Sequence, residues 1–168
     1  MNTVARRRHA AQEQVPDAWL HLDNQLCFAL YSASLAMTRL YKPLLEPLGL
    51  TYPQYLALLV LWETDALNVR ELGERLHLDS GTLTPLLKRM ESAGWLTRER
   101  ASGDERRVVV SLTVAGHALR EQARAIPPQL AAATGCSADE MKQLVQQLQQ
   151  LRDQILAAQP SPSPGAAH

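Results

Sequence analysis

The chain has 168 residues, of which 46% are hydrophobic and 20% are charged, and its formal net charge is +0. These values predict one domain with a normal hydrophobic core, and they exclude binding to nucleic acid through a strongly basic surface alone. No apolar run approaches the roughly 20 residues of a membrane span, and the basic N-terminus lacks the apolar stretch of a secretory signal. We therefore expect a cytoplasmic protein that does not associate with membranes.

The two ends of the chain are predicted to be disordered. Residues 1–18 form a basic arm without an apolar pattern, and residues 159–168 are rich in Pro and Ser. Such segments contain too few apolar side chains to form a packed core. The folded part is therefore expected at residues 19–158.

The first part of the folded region predicts two helices. Trp19–Leu45 is rich in Leu and Ala and contains no Pro or Gly before Pro43, which indicates one long helix. The prolines that follow and Gly49 are expected to end it. Gln54–Glu63 is apolar on nearly all sides, which predicts a core helix that Pro53 opens.

The next segment is typical of a helix-turn-helix. Val69–His77 has apolar residues at helical spacing, and Leu78–Gly81 then breaks the pattern. Ser80 is the predicted N-cap of the second helix, and Gly94 suits its left-handed end. The second helix is expected to bury Leu83, Leu86, Leu87 and Met90. The candidate DNA contacts at its start and on its other face are Ser80, Thr82, Thr84, Pro85, Lys88 and Arg89.

Pro85 allows two starts for this second helix. If Pro85 is the first helical residue, Thr84 is the cap. If the helix starts near Gly81, Pro85 lies inside it and one backbone hydrogen bond is lost. We favour the earlier start, because it keeps the apolar stripe continuous and puts Thr82 at the end that recognition helices present to bases.

A charged hairpin follows the second helix. Trp95–Arg100 and the β-branched Val108–Leu112 are predicted strands, joined by a loop. Arg106 and Arg107 near its tip suit a narrow, electronegative minor groove. The remaining candidate DNA contact is Asp104, which can brace an arginine through a charge-assisted hydrogen bond.

The basic surface of this segment is modest. Residues 88–107 contain six basic and four acidic side chains. Affinity for DNA is therefore expected to depend on dimerisation and shape more than on charge. A solvated hairpin beside an ordinary amphipathic helix is the alternative, and the order of the elements favours a DNA-binding winged helix-turn-helix.

Two motifs in this region resemble the MarR family of bacterial transcription regulators. They are DSGTLTPLLKRM at residues 79–90 and GDERR at residues 103–107, the latter followed by a strand that ends in Ser-Leu-Thr. The resemblance covers roughly residues 20–158. It implies a mainly α-helical homodimer without a cofactor or enzymatic activity, which binds pseudo-palindromic operator DNA. It places a winged helix-turn-helix (α+β) head at residues 51–112 between dimerisation helices at residues 19–50 and 113–158.

The C-terminal part predicts helices that need a partner. Thr113–Ala133 is helical in pattern and is interrupted by two prolines, and Ser137 with Glu140 forms a capping box. The last helix is polar except for one apolar stripe, which it cannot bury alone. An intramolecular helical cap is one solution, and the resemblance favours interleaving with a second subunit. The stripe is Leu144, Leu148, Leu151 and Ile155.

The chain has two cysteines, Cys27 and Cys136, and no metal-ligand spacing, so a metal site is not expected. The default state of two such cysteines is reduced, buried and inert. Tyr31 lies one helical turn beyond Cys27. Tyr41 lies about 15 Å along the helix, beyond the reach of Cys27 in its own subunit, and in a crossed dimer it can reach the partner's Cys27. A phenol that donates to sulfur stabilises a thiolate.

These cysteines and tyrosines resemble the organic hydroperoxide resistance branch of the MarR family. The resemblance implies that organic hydroperoxides oxidise Cys27 and that Tyr41 and Tyr52 hydrogen-bond it from the partner subunit. It implies that Tyr31 is a nearby pocket residue. It also implies that Cys136 resolves the sulfenic acid as a disulfide, which releases the DNA.

Three other functions stay open at this point. The chain can be a MarR-type repressor released by a small phenolic or aromatic ligand in the dimer crevice. It can be a thiol peroxidase or hydrolase, although His21 lies about 120° around the helix from Cys27. It can also be an interaction module without DNA. His77 and His117 are expected to be structural.

Overall fold

The structure is a computed structural model, and it describes residues 16–101 and 104–158, with the backbone alone at residue 101 and residues 104–106. Residues 1–15 and 159–168, on which most of the predicted disorder falls, lie outside the described residues. The described part divides into two compact units, residues 16–39 and residues 40–158.

The first unit begins with two 3-10 turns, Asp17–Leu20 and Leu22–Asn24, before helix α1 (Leu26–Leu45). The prediction of one helix from Trp19 is therefore wrong. The Asn24 side-chain amide donates to the Ala18 carbonyl at 2.6 Å, and the Gln25 amide donates to the carbonyls of Trp19 and His21. These amides compete with the backbone for acceptors that a continuous helix would use, so the helix begins later.

The second unit contains the end of α1, where Pro43 lies inside the helix instead of ending it. A 3-10 turn, Glu46–Leu48, follows, and Gly49 leaves it with a left-handed φ of 69°. Helix α2 (Tyr52–Glu63) then begins, and the backbone N–H of Thr51 donates to Gln54 Oε1 at 2.8 Å in a capping box. Helix α2 is largely buried, as its apolar sequence predicts.

The winged head consists of β1 (Leu67–Asn68), α3 (Val69–Leu76), α4 (Ser80–Ser92), β2 (Leu96–Ala101) and β3 (Asp104–Leu112). The strands form an antiparallel sheet in the order β1-β3-β2. Strand β1 was not predicted, because two residues are too few to show an alternating pattern. Strand β3 starts four residues earlier than predicted. Ala101 pairs with Asp104 after a register shift next to Arg100, so part of the expected long loop belongs to the two strands.

Three more helices follow within the described residues, α5 (Val114–Ala123), α6 (Ile126–Thr134) and α7 (Ala138–Ala158). The predicted interruption falls just before Pro127, which lies in the first turn of α6, where proline is well tolerated. The predicted capping box of α7 is confirmed. The backbone N–H of Ser137 donates to Glu140 Oε2 at 2.8 Å, and the Glu140 N–H donates to Ser137 Oγ at 3.3 Å.

The hydrophobic core lies in the second unit, between α2, the helices of the head and the sheet. Gly116 is required where α5 approaches the α4–β2 turn, because an added Cβ would lie 2.0 Å from the Trp95 carbonyl oxygen. The Trp62 Nε1–H donates to the Gly116 carbonyl at 3.0 Å and ties α2 to α5. This arrangement confirms the predicted fold, a mainly α-helical chain with a winged helix-turn-helix head.

Helix α7 differs from the core helices, because none of its residues is buried. Five of its large apolar side chains are 47–51% exposed, and Leu151 of the predicted stripe is half-buried. Among the described helices, none is by itself long and apolar enough to span a membrane, and α1 with its 3-10 turn passes that test only together with α2, as a bent pair.

Candidate DNA interface and thiol sites

Both helices of the helix-turn-helix begin with a side-chain cap. Asn68 Oδ1 accepts the Glu71 N–H at 2.9 Å, and Glu71 Oε2 accepts the Asn68 N–H at 3.0 Å, which starts α3. Asp79 Oδ1 accepts the Thr82 N–H at 2.9 Å and so starts α4. The two caps position the helices on either side of a turn at His77, which has a left-handed φ of 55°.

The prediction that Ser80 caps α4 is wrong, because Asp79 is the cap and Ser80 is the first helical residue. An ionised carboxylate next to a helix N-terminus is favoured by the helix dipole. The Thr82 hydroxyl also donates to Asp79 Oδ2 at 2.8 Å, and these hydrogen bonds from Thr82 hold the pKa of Asp79 below its usual range. The Thr82 oxygen remains an acceptor for a DNA contact.

Helix α4 presents two distinct faces. Its early start is confirmed, and Pro85 lies inside the helix. The predicted apolar stripe is 0–3% exposed and packs into the core. Thr84 is half-buried, and the other candidate DNA contacts of α4 are exposed, namely Ser80, Thr82, Pro85, Lys88 and Arg89.

The wing is a β-ribbon formed by β2 and β3. Arg107 is exposed, and it lines a cleft of about 670 Å³ together with Thr84 and Arg98. The side chains of Asp104 and Arg106 lie outside the described part, so the predicted brace between Asp104 and an arginine stays a prediction. Glu91 of α4 binds Arg98 of β2 through both its carboxylate oxygens. Sequence reasoning missed this pair, because a contact between a helix and a strand has no characteristic spacing in the sequence.

The two cysteines lie in different surroundings. Cys27 is exposed in the first turn of α1, and Tyr31, one turn later, is 61% exposed. Cys136 is half-buried between α6 and α7. It follows Gly135, which has a left-handed φ of 68°, and its Sγ lies 3.7 Å from the Thr134 carbonyl oxygen. The default expectation of a buried thiol is therefore wrong for Cys27 in the single chain.

Tyr41 and Tyr52 lie together, with ring centroids 4.8 Å apart. Tyr55, which sequence reasoning missed, is 5.8 Å from Tyr41 and continues the cluster. Its position three residues after Tyr52 in a helix was the available signal. Burial, with the neighbouring Tyr52 and Tyr55, raises the pKa of Tyr41 to about 12, and burial also raises the pKa of Tyr52. Both phenols are therefore protonated near neutral pH and can donate hydrogen bonds.

The part of the chain that the structure describes contains no candidate metal site. Within residues 16–101 and 104–158, no cluster of three or more His, Cys, Asp or Glu side chains could hold a metal ion.

Comparison with known proteins gives matches that cover the head and parts of the outer helices. A family model for the transcriptional regulators SarA/Rot matches residues 39–123. The organic hydroperoxide resistance transcriptional regulator of Bacillus subtilis is 54% identical over 125 residues, 74% of this chain and 85% of that protein. A mutant of MarR from E. coli complexed with operator DNA has a TM-score of 0.68 at 28% identity, covering 75% of this chain and 92% of that one.

AbfR of Staphylococcus epidermidis is similar in several solved states. Its reduced and overoxidized forms, both bound to DNA, each have a TM-score of 0.67 at 36% identity and cover 84% of this chain and 99% of theirs. Its disulfide form has a TM-score of 0.55 at 37% identity, covering 80% of this chain and 95% of that one. From these similarities and its winged head, the chain belongs to the MarR family of transcriptional regulators, in the branch of the organic hydroperoxide resistance regulators.

Proposed function

We propose that the chain is a redox-sensing repressor that binds pseudo-palindromic operator DNA as a reduced homodimer. In this proposal, organic hydroperoxides oxidise Cys27, a disulfide forms with the partner's Cys136, and the dimer leaves its operator. The observation that carries the proposal is the exposed Cys27 in the first turn of α1, where the apolar side chains Leu26, Tyr31 and Leu35 are also exposed. The regulator of Bacillus subtilis, named for organic hydroperoxide resistance, supports the choice of oxidant.

The homodimer accounts for two sets of exposed apolar side chains. Both sets are 41–78% exposed, whereas the core of the head is at most 9% exposed. A monomer rarely leaves so many large apolar groups in water along whole helices. A second copy can cover both sets, because a two-fold interface uses the same surfaces on each subunit. The sets are Trp19, Leu20, Leu22, Leu26, Tyr31 and Leu35 in the first unit, and Leu144, Val145, Leu148, Ile155 and Leu156 in α7.

The proposed chemistry uses only the two thiols and the peroxide. The Cys27 thiolate attacks one peroxide oxygen and the O–O bond breaks. The departing alkoxide takes a proton, which gives an alcohol and a sulfenic acid on Cys27. The Cys136 thiol of the partner subunit then attacks that sulfur and displaces water. The peroxide is the oxidant in the first step, and a small thiol reverses the disulfide.

The tyrosines support this chemistry as hydrogen-bond donors. Tyr41 and Tyr52 keep their protons at neutral pH, as any phenol does, and burial raises the pKa of both further. A donated O–H bond favours the thiolate over the thiol, and the thiolate is the nucleophile. We propose that both tyrosines serve the partner's Cys27 in this way. Replacing either with Phe should slow oxidation and leave the DNA affinity of the reduced protein unchanged.

The comparisons with AbfR support a conformational difference between its DNA-bound forms and its disulfide form. This chain is more similar to reduced AbfR on DNA than to the disulfide form, with TM-scores of 0.67 and 0.55. A disulfide requires the two Cα atoms to lie within roughly 7 Å. Cys136 follows a glycine between two helices, where a backbone change costs little helical structure. We propose that this junction moves when the bond forms and alters the spacing of the two heads.

The experiment measures retention on DNA before and after oxidation. A duplex is first selected from a random library with the reduced protein. Wild type, Cys27→Ser and Cys136→Ser are then treated with cumene hydroperoxide or, separately, with hydrogen peroxide at the same concentration. Wild type should release the duplex with cumene hydroperoxide and bind it again after addition of a dithiol reductant. Cys27→Ser should stay bound.

Two outcomes would overturn the proposal. Release of Cys27→Ser by the peroxide at the wild-type rate would remove Cys27 from the mechanism. Retention of wild type after complete oxidation of Cys27, measured by mass spectrometry, would separate oxidation from DNA release. Cys136→Ser should stop at sulfenic acid or a mixed disulfide with a small thiol, and a covalent dimer in this variant would assign the wild-type bond to another pair.

A further inference from the structure

Glu91 and Arg98 connect the end of helix α4 to the stem of the wing. Glu91 Oε2 accepts hydrogen bonds from Arg98 Nε at 2.9 Å and from its terminal nitrogen at 2.6 Å. Glu91 Oε1 accepts the backbone N–H of Arg98 at 3.1 Å. One carboxylate therefore holds both the side chain and the backbone of the same residue.

The sheet topology explains why the backbone bond is available. Strand β2 is an edge strand, because the order of the sheet is β1-β3-β2. In an antiparallel pair, alternate residues of an edge strand direct their N–H groups away from the neighbouring strand. Arg98 is such a residue, and Glu91 accepts the N–H that would otherwise face water. The carboxylate thus holds the start of β2 against the end of α4.

The pair is better shielded than the other ion pairs of the head. The side chains of Arg98 and Glu91 are 23% and 36% exposed, whereas those of Arg70 and Glu74 on α3 are 88% and 62% exposed. Hydrogen bonds from Arg98 hold the pKa of Glu91 below its usual range, so Glu91 is ionised near neutral pH. Exposed pairs contribute little, but this pair has a defined geometry, because two guanidinium nitrogens donate to one carboxylate oxygen and the backbone N–H donates to the other.

We propose that Glu91 and Arg98 are positioning residues for DNA recognition, which set the angle between the recognition helix α4 and the wing. Arg98 lies four residues before the wing turn, about 13 Å at roughly 3.3 Å per residue. A small rotation at the stem is therefore a large displacement at the tip. With the stem fixed, α4 and the wing tip reach their two grooves together. The inference rests on DNA binding by the head and is independent of the thiol switch.

The test is a double-mutant cycle in reduced protein on the selected duplex, at fixed salt concentration. Glu91→Gln removes the charge and keeps the size, so the pair loosens without a new cavity. It is measured alone and together with Arg106→Ala and Arg107→Ala, which remove the basic wing tip. The matched control is Glu121→Gln, which removes the same charge from an exposed ion pair on α5.

Glu91→Gln should weaken DNA binding about five- to tenfold in the wild-type background, and less than twofold once the tip arginines are absent. Arg98→Lys, which keeps the charge but not the paired hydrogen bonds of the guanidinium, should show the same dependence on the tip to a smaller degree. Glu121→Gln should bind as wild type. Melting temperatures of all variants, measured by circular dichroism, should lie close to that of wild type.

Three results would overturn the inference. Equal losses from Glu91→Gln with and without the tip arginines would mean that the pair supports the fold in general. An unchanged affinity of Glu91→Gln would mean that it positions nothing. An unchanged affinity of the variant without tip arginines would mean that the wing makes no contact for the pair to position.

Discussion

The winged head buries its apolar side chains within one chain, whereas the outer helices leave many of theirs exposed. In the head, Leu83 and Met90 of α4 are 1% and 0% exposed within one chain. On α7, Leu148 and Ile155 are 48% and 47% exposed, although they repeat with the same helical spacing. The apolar side chains of the head are therefore buried within one subunit, and the exposed side chains of α7 support the proposal that it is one side of an interface. An apolar stripe therefore predicts burial, but it does not say which chain provides the cover.

The difference also separates the two proposed activities. The candidate DNA contacts lie on the complete head, where Asp79, Glu91 and Arg98 hold local geometry through several hydrogen bonds. Cys27 lies on α1 in the first unit, among the exposed apolar side chains. Oxidation there can change an interface between subunits without unfolding the part that contacts DNA.

The largest effect is expected from a charge on the exposed stripe of α7. Leu148→Arg should convert the dimer to a monomer, because a buried unpaired guanidinium is strongly unfavourable in an interface. DNA affinity should fall by about a hundredfold or more, since two heads would no longer bind together. Light scattering after size-exclusion chromatography and fluorescence anisotropy measure the two effects. Gln149→Arg adds the same charge on the next residue and should leave both unchanged, and a dimeric Leu148→Arg would contradict the proposed interface.

Burial within one chain is tested by truncations in the monomeric Leu148→Arg background. Leu87→Ala should lower the free energy of unfolding by about 2–5 kcal/mol, because it removes a fully buried side chain. Leu144→Ala, at a side chain that is 49% exposed, should change it by less than about 0.5 kcal/mol. Urea denaturation gives both values. Similar losses for the two variants would mean that α7 is packed within its own chain.

A smaller effect is expected on the DNA contact of the wing. Arg106→Ala should weaken operator binding by about 1–3 kcal/mol, by analogy with the loss of one groove contact. Arg107→Ala is the second candidate, since Arg107 is exposed beside Thr84 in the cleft. Both are measured at matched salt concentration in reduced protein. An unchanged affinity for both variants would remove the wing from the mechanism.

The smallest effect concerns the tyrosine cluster at alkaline pH. The pKa of Tyr41 is raised from 10.0 to about 12, chiefly by burial, so the fold favours the neutral phenol. Its contribution to stability is complete below pH 10 and is lost as the pH rises towards 12. An ultraviolet titration of tyrosinate should show a late component near pH 12 that is missing in Tyr41→Phe. Identical titrations of the two proteins would place Tyr41 in water.

Periodic features of the fold could be predicted from the sequence. The leucine spacing of α4 and the Ser137–Glu140 box are local patterns, and a helix follows from them whatever surrounds it. Features that depend on competition between alternative hydrogen-bonding groups could not be predicted. Asp79 and Ser80 are both good caps, and only the folded turn selects Asp79. The start of α1 depends on side-chain amides that occupy backbone carbonyls.

The candidate sites divide in the same way. The exposed face of α4 could be predicted, because it is the complement of the buried stripe. The Glu91–Arg98 pair and the contact of Tyr55 with Tyr41 depend on tertiary packing, which residue spacing does not reveal. The pairing of Cys27 with Cys136 came from family resemblance and stays a proposal, since it depends on a second subunit.

The central claim is that the disulfide joins Cys27 of one subunit to Cys136 of its partner, and isotope mixing tests it most directly. Reduced protein of natural isotope content is mixed with an equal amount of nitrogen-15 protein, allowed to exchange subunits, and oxidised with cumene hydroperoxide. Mass spectrometry then identifies disulfide-linked peptides containing Cys27 and Cys136. We expect linked peptides with one labelled and one unlabelled half to be as abundant as all uniformly labelled or unlabelled linked peptides together. Linked peptides of uniform label only, or no Cys27–Cys136 peptide in protein that has left its DNA, would contradict it.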